Sequence, residues 1–588
     1  MNKLKFCICI ILGLTFFSCN EEKWLAEKPY DFYAPENSYE TVDNFKQAMN
    51  LIYDLVRYWH FRYEDNSFQT HHLFLGNENF YYGYSDLDVG VNMYHPSVNS
   101  TAFVVQKNWS WYYMGIAKAN DILTRLETNA SQVPDDAKLA FRGEALFFRA
   151  YYHLLLAHIF GDVPIVTEML TAPKTDFTRA TRDEVYAQCQ QDLEEAIGLL
   201  DDIDQVVDGG INKQIAQHFL TEAYIGRKNY TKAIETANAV INHPKTGLMT
   251  ERFGTRKDAV PDADVFYDLF REGNQNRSKG NTEGLWVLQY DYLSGSPRAS
   301  IRSRVIMPQA RMIEVMKKGG TDINDATHRV AACPDFTAED GGRGNGYWAT
   351  THHFKRTIWG LTKADDRFTD NISDKTSDIR TSKFNIFRDY RIDNPDAEGH
   401  GQWLVKDGWL RDVDTFLRFY PAVTKYCAFE AYPDNSYKLD NGARVTTSLG
   451  KQILVDSDEA AIGSFKDEYH TRLAETYLLL AEAYVLNNQP DLAADAVNVV
   501  RSRAKAIPAT AAEMNLDYIL DERSRELATE EVRNITLLRM GKFVERARKY
   551  NPAGSSVADW QNLWPIPYAE IEKNTGAVLT QNQGYGAE

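Results

Sequence analysis

Cysteine is scarce in this chain, with 6 in 588 residues. Cys7 and Cys9 lie in an apolar leader and Cys19 closes it, which leaves Cys189, Cys333 and Cys427 scattered. That spacing excludes a disulfide framework and a cysteine-based zinc motif. Positive charge is also in deficit, 65 Lys and Arg against 82 Asp and Glu, for a net charge of −17. Losing Lys3 and Lys5 with the leader makes the balance more negative still, so nucleic acid is no expected partner. No His-Glu-x-x-His, Gly-x-Ser-x-Gly elbow or Walker lysine is present. The longest apolar run, FCICIILGLTFF, has about a dozen residues, too short for a bilayer that needs about 20.

What is present begins with that run. Two lysines, an apolar stretch of signal-peptide size and then Ser18-Cys19 form a register that resembles a bacterial lipoprotein signal, with Phe16 where leucine is usual. Residues 1–18 are read as the signal peptide and Cys19 as the lipidated first residue of a linker, 19–44. Acyl chains on Cys19 would anchor the chain to a membrane without spanning it. Glu21 and Glu22 directly after the cysteine resemble an export tag for the outer face of the outer membrane.

Helical periodicity dominates both ends of the remaining chain. LAFRGEALFFRAYYHLLLAHIFGDVPIV (139–166) predicts a deeply buried helix stopped by Gly161 and Pro164. Two further segments, from 212 and from 472, each predict a helix pair and share the word Leu-x-Glu-Ala-Tyr. Aligned on it, Leu220, Tyr224 and Ala233 repeat as Leu480, Tyr484 and Ala493. Large residues on one helix facing a small one on the next suit a tetratricopeptide hairpin. With further pairs at 45–59, 108–128, 139–160 and 183–200, the expected fold is mainly α, a tetratricopeptide-like α-solenoid core of about four helix pairs. One domain, 45–588, is expected, with its helical core at 45–245 and 466–588. Between them, 246–465 loses periodicity and turns rich in Gly, Asp, Asn and aromatics, an irregular loop-rich lobe of the kind that carries function.

Most chemical motifs dissolve on inspection. Gly344 to Ala349 fits GxGxxA but follows no strand. His71-His72 and His352-His353 are adjacent pairs whose side chains diverge. Glu522 and Glu526 stand one helical turn apart, as a glycosidase pair might, yet an expected Asp521 to Arg525 pair and nearby Arg523 and Arg533 favour a salt-bridged helix. Ser85-Asp86-Leu87-Asp88 offers oxygens for calcium, too few to specify a site. No cofactor or metal is therefore expected. Aromatics interleaved with polar residues are a better lead, because sugar C–H faces stack on rings while amides and guanidiniums bind hydroxyls. Two stretches have that texture, NENFYYGYSDLD (77–88) and RGNGYWATTHHF (343–354). The ligand-binding candidates are Asn79, Tyr81, Tyr82, Tyr84, Arg343, Tyr347 and Trp348.

Several words taken in order, WSWYYMGIAKANDIL (109–123), FRGEALFFRAYYHLLLAHIFGDVPIV (141–166), RLAETYLLLAEAY, YILDERSRELATEEVRNITLLRMGKF, LWPIPYAEIEKN and QNQGY, resemble the SusD/RagB family of surface lipoproteins. The resemblance implies four tetratricopeptide-like helix pairs wrapped by an irregular lobe. It also implies capture of an oligosaccharide, or sometimes a peptide, for a SusC-like TonB-dependent outer-membrane transporter, with no cofactor and no catalysis. Binding residues vary among such proteins, so only location carries over, to 77–88 and the stretch around Tyr347 and Trp348. Trp109 and Trp564 fall on structural words and are expected in the core. Where the family usually has an Arg-Arg pair in the late helix, this chain reads Val532-Arg533-Asn534. Two other readings compete: a surface glycoside hydrolase on a helical scaffold, and a pure protein-binding scaffold.

Overall fold

The computed structural model describes residues 39–61, 70–83, 92, 94–291, 302–361, 376–409, 421–429, 432–455 and 464–586. The expected lipidation at Cys19, Tyr84 and the acids Asp86 and Asp88 lie outside them. Counting helices of seven residues or more, the helical core starts with α1 (Val42–Phe61), α2 (Phe103–Thr128), α3 (Asp135–Phe160), α4 (Arg182–Leu199), α5 (Lys213–Gly226) and α6 (Tyr230–Ile241). It resumes with α7 (Leu473–Leu486), α8 (Pro490–Arg503), α9 (Leu516–Leu527), α10 (Arg533–Arg539) and α11 (Phe543–Tyr550).

Local chemistry sets these boundaries. Thr181 and Glu184 close a capping box on α4, and Asn212, Asn229 and Asn515 accept from the first turns of α5, α6 and α9. Gly161 ends α3 at φ +76, a conformation that disfavours any side chain.

From α1 to α8 each helix packs on the next, so the helices form four pairs. The stack runs unbroken from α6 to α7 although the lobe separates them in sequence, because Ala237 of α6 joins Leu478, Leu480 and Ala481 in one apolar cluster. Ala233 and Ala493, the small members of the repeat, are both fully buried, with Leu220 and Leu480 nearly so. Such contacts let helix axes approach closely. Helix α7 is buried almost all round, since Leu478 and Leu479 are as inaccessible as Leu473 and Ala481. Trp109 and Trp564 are core residues as expected, 4% and 0% exposed.

The irregular lobe is made of short ribbons and turns. Among the described residues the strands of three residues or more are β1 (Phe80–Tyr82), β2 (Gly284–Leu288), β3 (Glu314–Met316), β4 (Arg329–Ala331), β5 (Trp348–Thr350) and β6 (Glu468–Arg472), of which β2 to β5 lie in the lobe. Strand β6 pairs antiparallel with β2 and leads straight into α7. On that ribbon Trp286 stacks on His470 at 4.0 Å and meets Phe147, Phe148 and Tyr151 of α3 edge-on. The lobe is thereby joined to the most deeply buried helix.

Candidate functional site

The two aromatic stretches, distant in sequence, meet as one ribbon. Strands β1 and β5 pair antiparallel with Phe80 opposite Thr350, Tyr81 opposite Ala349 and Tyr82 opposite Trp348. Gly83 N extends the ladder by donating to Tyr347 O at 2.9 Å. Side chains alternate along a strand, so Phe80, Tyr82, Trp348 and Thr350 share one face and Tyr81 and the fully buried Ala349 the other, while Tyr347, just before β5, has its ring 5.6 Å from that of Tyr82. Burial sorts the candidates. Trp348 is 3% exposed and stacked on Phe74 at 4.7 Å, and Tyr82 and Asn79 are also buried. None of these three, expected to face a ligand, is open to solvent in this structure. Tyr81 and Tyr347 stay half-exposed, and half-buried Arg343 lies over the Phe336 ring at 5.7 Å.

A set of buried amides holds this ribbon in place. Asn77 Oδ1 accepts from the backbone N–H groups of Asn79 and Phe80 at 2.8 and 3.1 Å, and its amide donates to Asn534 Oδ1 at 2.7 Å. Asn534 in turn donates to the carbonyls of His72 and Leu75, at 2.6 and 2.8 Å. Asn551 donates to the carbonyls of Asn77 and Phe80. Asn534 is thus a neutral clamp on the loop that enters β1. Across the ribbon Thr351 N donates to Asn79 O at 2.9 Å, and Thr351 Oγ1 to Glu78 O.

Beneath the amides lies a buried ionic layer. Glu78, 0% exposed, accepts from Arg533 Nη2 at 2.6 Å and from Arg546 Nε at 3.0 Å. Burial pushes its carboxyl up, but the two guanidiniums outweigh burial and hold it below its ordinary value. Asp521 does not pair with Arg525, contrary to the helix-surface expectation. It faces Arg546, and His353 at 3.0 Å, while Arg525 turns to Glu522 at 2.7 Å. Helix α9 is largely buried, so most of its charges find partners on other elements, with Arg525–Glu522 the pair made within the helix.

Glu522 and Glu526 are both fully buried. Glu522 accepts from Arg380, Arg501 and Arg525, and Glu526 from Arg380, Arg472 and Arg503. Burial opposes ionisation of Glu526, yet its arginines hold its carboxyl at about 2. Neither acid has an oxygen facing solvent, so neither can meet a glycosidic bond. Arg380, Arg472 and Glu283 were missed in the sequence because charged residues are ordinarily exposed and nothing local marks a buried one. His353, one of the doublets, is buried and stacked on Tyr550 at 3.7 Å.

Comparison with known proteins adds an independent line. Residues 282–585 match a family model described as the SusD family, and residues 23–225 match one described as starch-binding associating with outer membrane. A SusD-like protein of Formosa agariphila is 22% identical over 609 residues, spanning 98% of this chain and 98% of its own. The starch-binding protein SusD of Bacteroides thetaiotaomicron is 35% identical over 121 residues, 19% of this chain and 21% of its own. Among solved structures, a laminarin binding SusD-like protein superposes with a TM-score of 0.61 at 21% identity, covering 93% of this chain and 100% of that one. A SusD homolog from Bacteroides thetaiotaomicron reaches 0.63 at 18% identity, covering 96% of this chain and 100% of that one. At such identities the structural likeness speaks for the fold.

Proposed function

The chain belongs to the SusD family, and from that premise we propose that it captures an oligosaccharide at the cell surface, does not cleave it, and hands it to a SusC-like TonB-dependent transporter. The family description associates such chains with the outer membrane. Among the described residues no helix is long and apolar enough to cross a membrane. Attachment through acyl chains on Cys19 is accordingly part of the proposal.

The observation that carries the reading is the β1–β5 ribbon. It brings half-exposed Tyr81 and Tyr347 from two distant stretches onto neighbouring positions of one ribbon, with Tyr347 beside the ring of Tyr82 at 5.6 Å. Half-exposed tyrosines offer a ring face for sugar C–H groups and a hydroxyl for hydrogen bonding. A ribbon clamped by buried amides loses little entropy when a ligand stacks on it. Capture without cleavage is supported by the fate of Glu522 and Glu526, whose oxygens are committed to arginines.

The test is calorimetry of the soluble form beginning at Asn20 against plant, host and microbial oligosaccharides and a set of peptides, with chromatography of each mixture afterwards. Binding of an intact oligosaccharide, weakened about tenfold (about 1.4 kcal/mol) by Tyr81→Ala or Tyr347→Ala, is the expected result. Shortened ligand would overturn capture in favour of hydrolysis. Binding to peptides alone would move the chain to the peptide-receiving alternative.

A further inference from the structure

Away from the ribbon, a cavity of about 80 Å³ with a mixed polar and apolar lining lies between α5, α7, α10 and the end of α3. His218 and Glu222 face it from α5, one helical turn apart, so both side chains leave the same side of the helix. Glu475 faces it from the first turn of α7. One ring nitrogen and two carboxylate oxygens from these residues all lie within 4.8 Å of one another. We propose that His218, Glu222 and Glu475 form a divalent transition-metal site, suited to Zn²⁺, which ties the first half of the helical stack to the second.

The donor set fixes the class of ion. One imidazole with two carboxylates suits zinc, whereas calcium and magnesium favour all-oxygen shells. Three protein ligands leave a position for water, and the cavity is roomy enough for one. Thr476 Oγ1 lies 2.9 Å from His218 Nδ1, an outer contact that orients the ring and leaves Nε2 for a metal.

Two further observations point to a missing ligand. Buried imidazole nitrogens are ordinarily paired. Yet His158, 2% exposed and lining the same cavity, has an Nε2 with no hydrogen-bond partner. A water on the metal would supply one. Glu222 likewise makes no hydrogen bond or ion pair among the described residues. Of the carboxylates that line the cavity, Glu530 is paired with Arg472 and Lys425 and Glu531 with Arg523 and Arg533, which leaves Glu222 without an ion pair among the described residues. The lining arginine, Arg539, is held bidentate by Glu482 at 2.6 and 2.7 Å. Arg523 is divided between Glu475 at 2.5 Å and Glu531 at 2.7 Å.

The experiment uses the full chain, without a histidine tag, purified in detergent, stripped with chelator, loaded with ZnCl₂ and dialysed. Elemental analysis should find one zinc per chain in the wild type, and zinc should raise its melting temperature. Glu222→Gln removes a ligand that holds no other partner, so the variant should fold normally while its zinc affinity falls by about tenfold or more. His218→Gln provides a second variant with the same expectation. The proposal is overturned if the wild type retains no zinc, or if both variants retain it with wild-type affinity.

Discussion

Replacing Glu78 with Gln removes the negative charge between Arg533 and Arg546 while keeping side-chain size. Breaking a buried ion pair costs about 3–5 kcal/mol. Here the lower end applies, because Arg533 keeps Glu531 at 2.9 Å and Arg546 keeps Asp517 at 2.9 Å. With an unfolding entropy of about 2.1 cal/mol/K per residue, a chain of this size has more than about 1 kcal/mol/K in total. A loss of about 3 kcal/mol therefore lowers the melting temperature by only about 2–3 °C. The informative assay is local. Glu78 is followed directly by the loop into β1, so its charge supports opening of the ribbon more than global unfolding. Hydrogen exchange at Gly83 and Thr351, whose N–H groups donate to Tyr347 and Asn79, should speed up by about 100-fold, the factor that 3 kcal/mol represents. The exposed Glu235→Gln serves as control. Unchanged exchange at both amides in Glu78→Gln would refute the claim that the ionic layer holds the ligand surface.

Four further outcomes are expected. Glu526→Gln should lower the urea-derived stability by about 3–5 kcal/mol, since three guanidiniums lose a shared counter-charge, and should leave ligand binding without turnover unchanged. Glu526 and Glu531 are held at about 2 in the fold. Their stabilisation is present above about 4.5, their unfolded value, and is lost as pH falls towards 2, so melting temperature should drop steeply below about pH 4.5. Glu144 has the opposite sign: burial raises it to about 7, with the Tyr53 hydroxyl 2.6 Å away pulling it back. Its contribution is present below about 4.5 and lost as pH rises through 7, so Glu144→Gln should stabilise at pH 8.5 by up to roughly 3 kcal/mol and change little at pH 4. Finally, a Cβ on Gly115 would sit 2.2 Å from the Tyr152 ring. Gly115→Ala should therefore destabilise by about 1–3 kcal/mol in thermal or urea unfolding, the crowding of a buried ring outweighing alanine's helix preference of about 1 kcal/mol.

By itself the sequence determined the local order of this protein. The apolar period marks α3, the Leu-x-Glu-Ala-Tyr repeat marks α5 and α7, and the failure of period after Thr246 marks the lobe, because each signal is written in residues a few positions apart. It also picked out the two aromatic stretches that meet in the β1–β5 ribbon. Only the tertiary structure decided their pairing register, and with it that Trp348 and Tyr82 turn inward while Tyr81 and Tyr347 stay half-exposed. A strand's two faces alternate whatever its composition, so three residues of aromatic text cannot say which face meets solvent. The same limit hid the charged core. Glu78, Arg380 and Arg472 carry no mark of burial in the chain, since the partners of Glu78 and Arg472 lie tens to hundreds of residues away and Arg380, though it also holds nearby Asp378, meets Glu522 142 residues on. The fold makes such charges tenable by bringing opposite charges together in a medium where neither could stand alone.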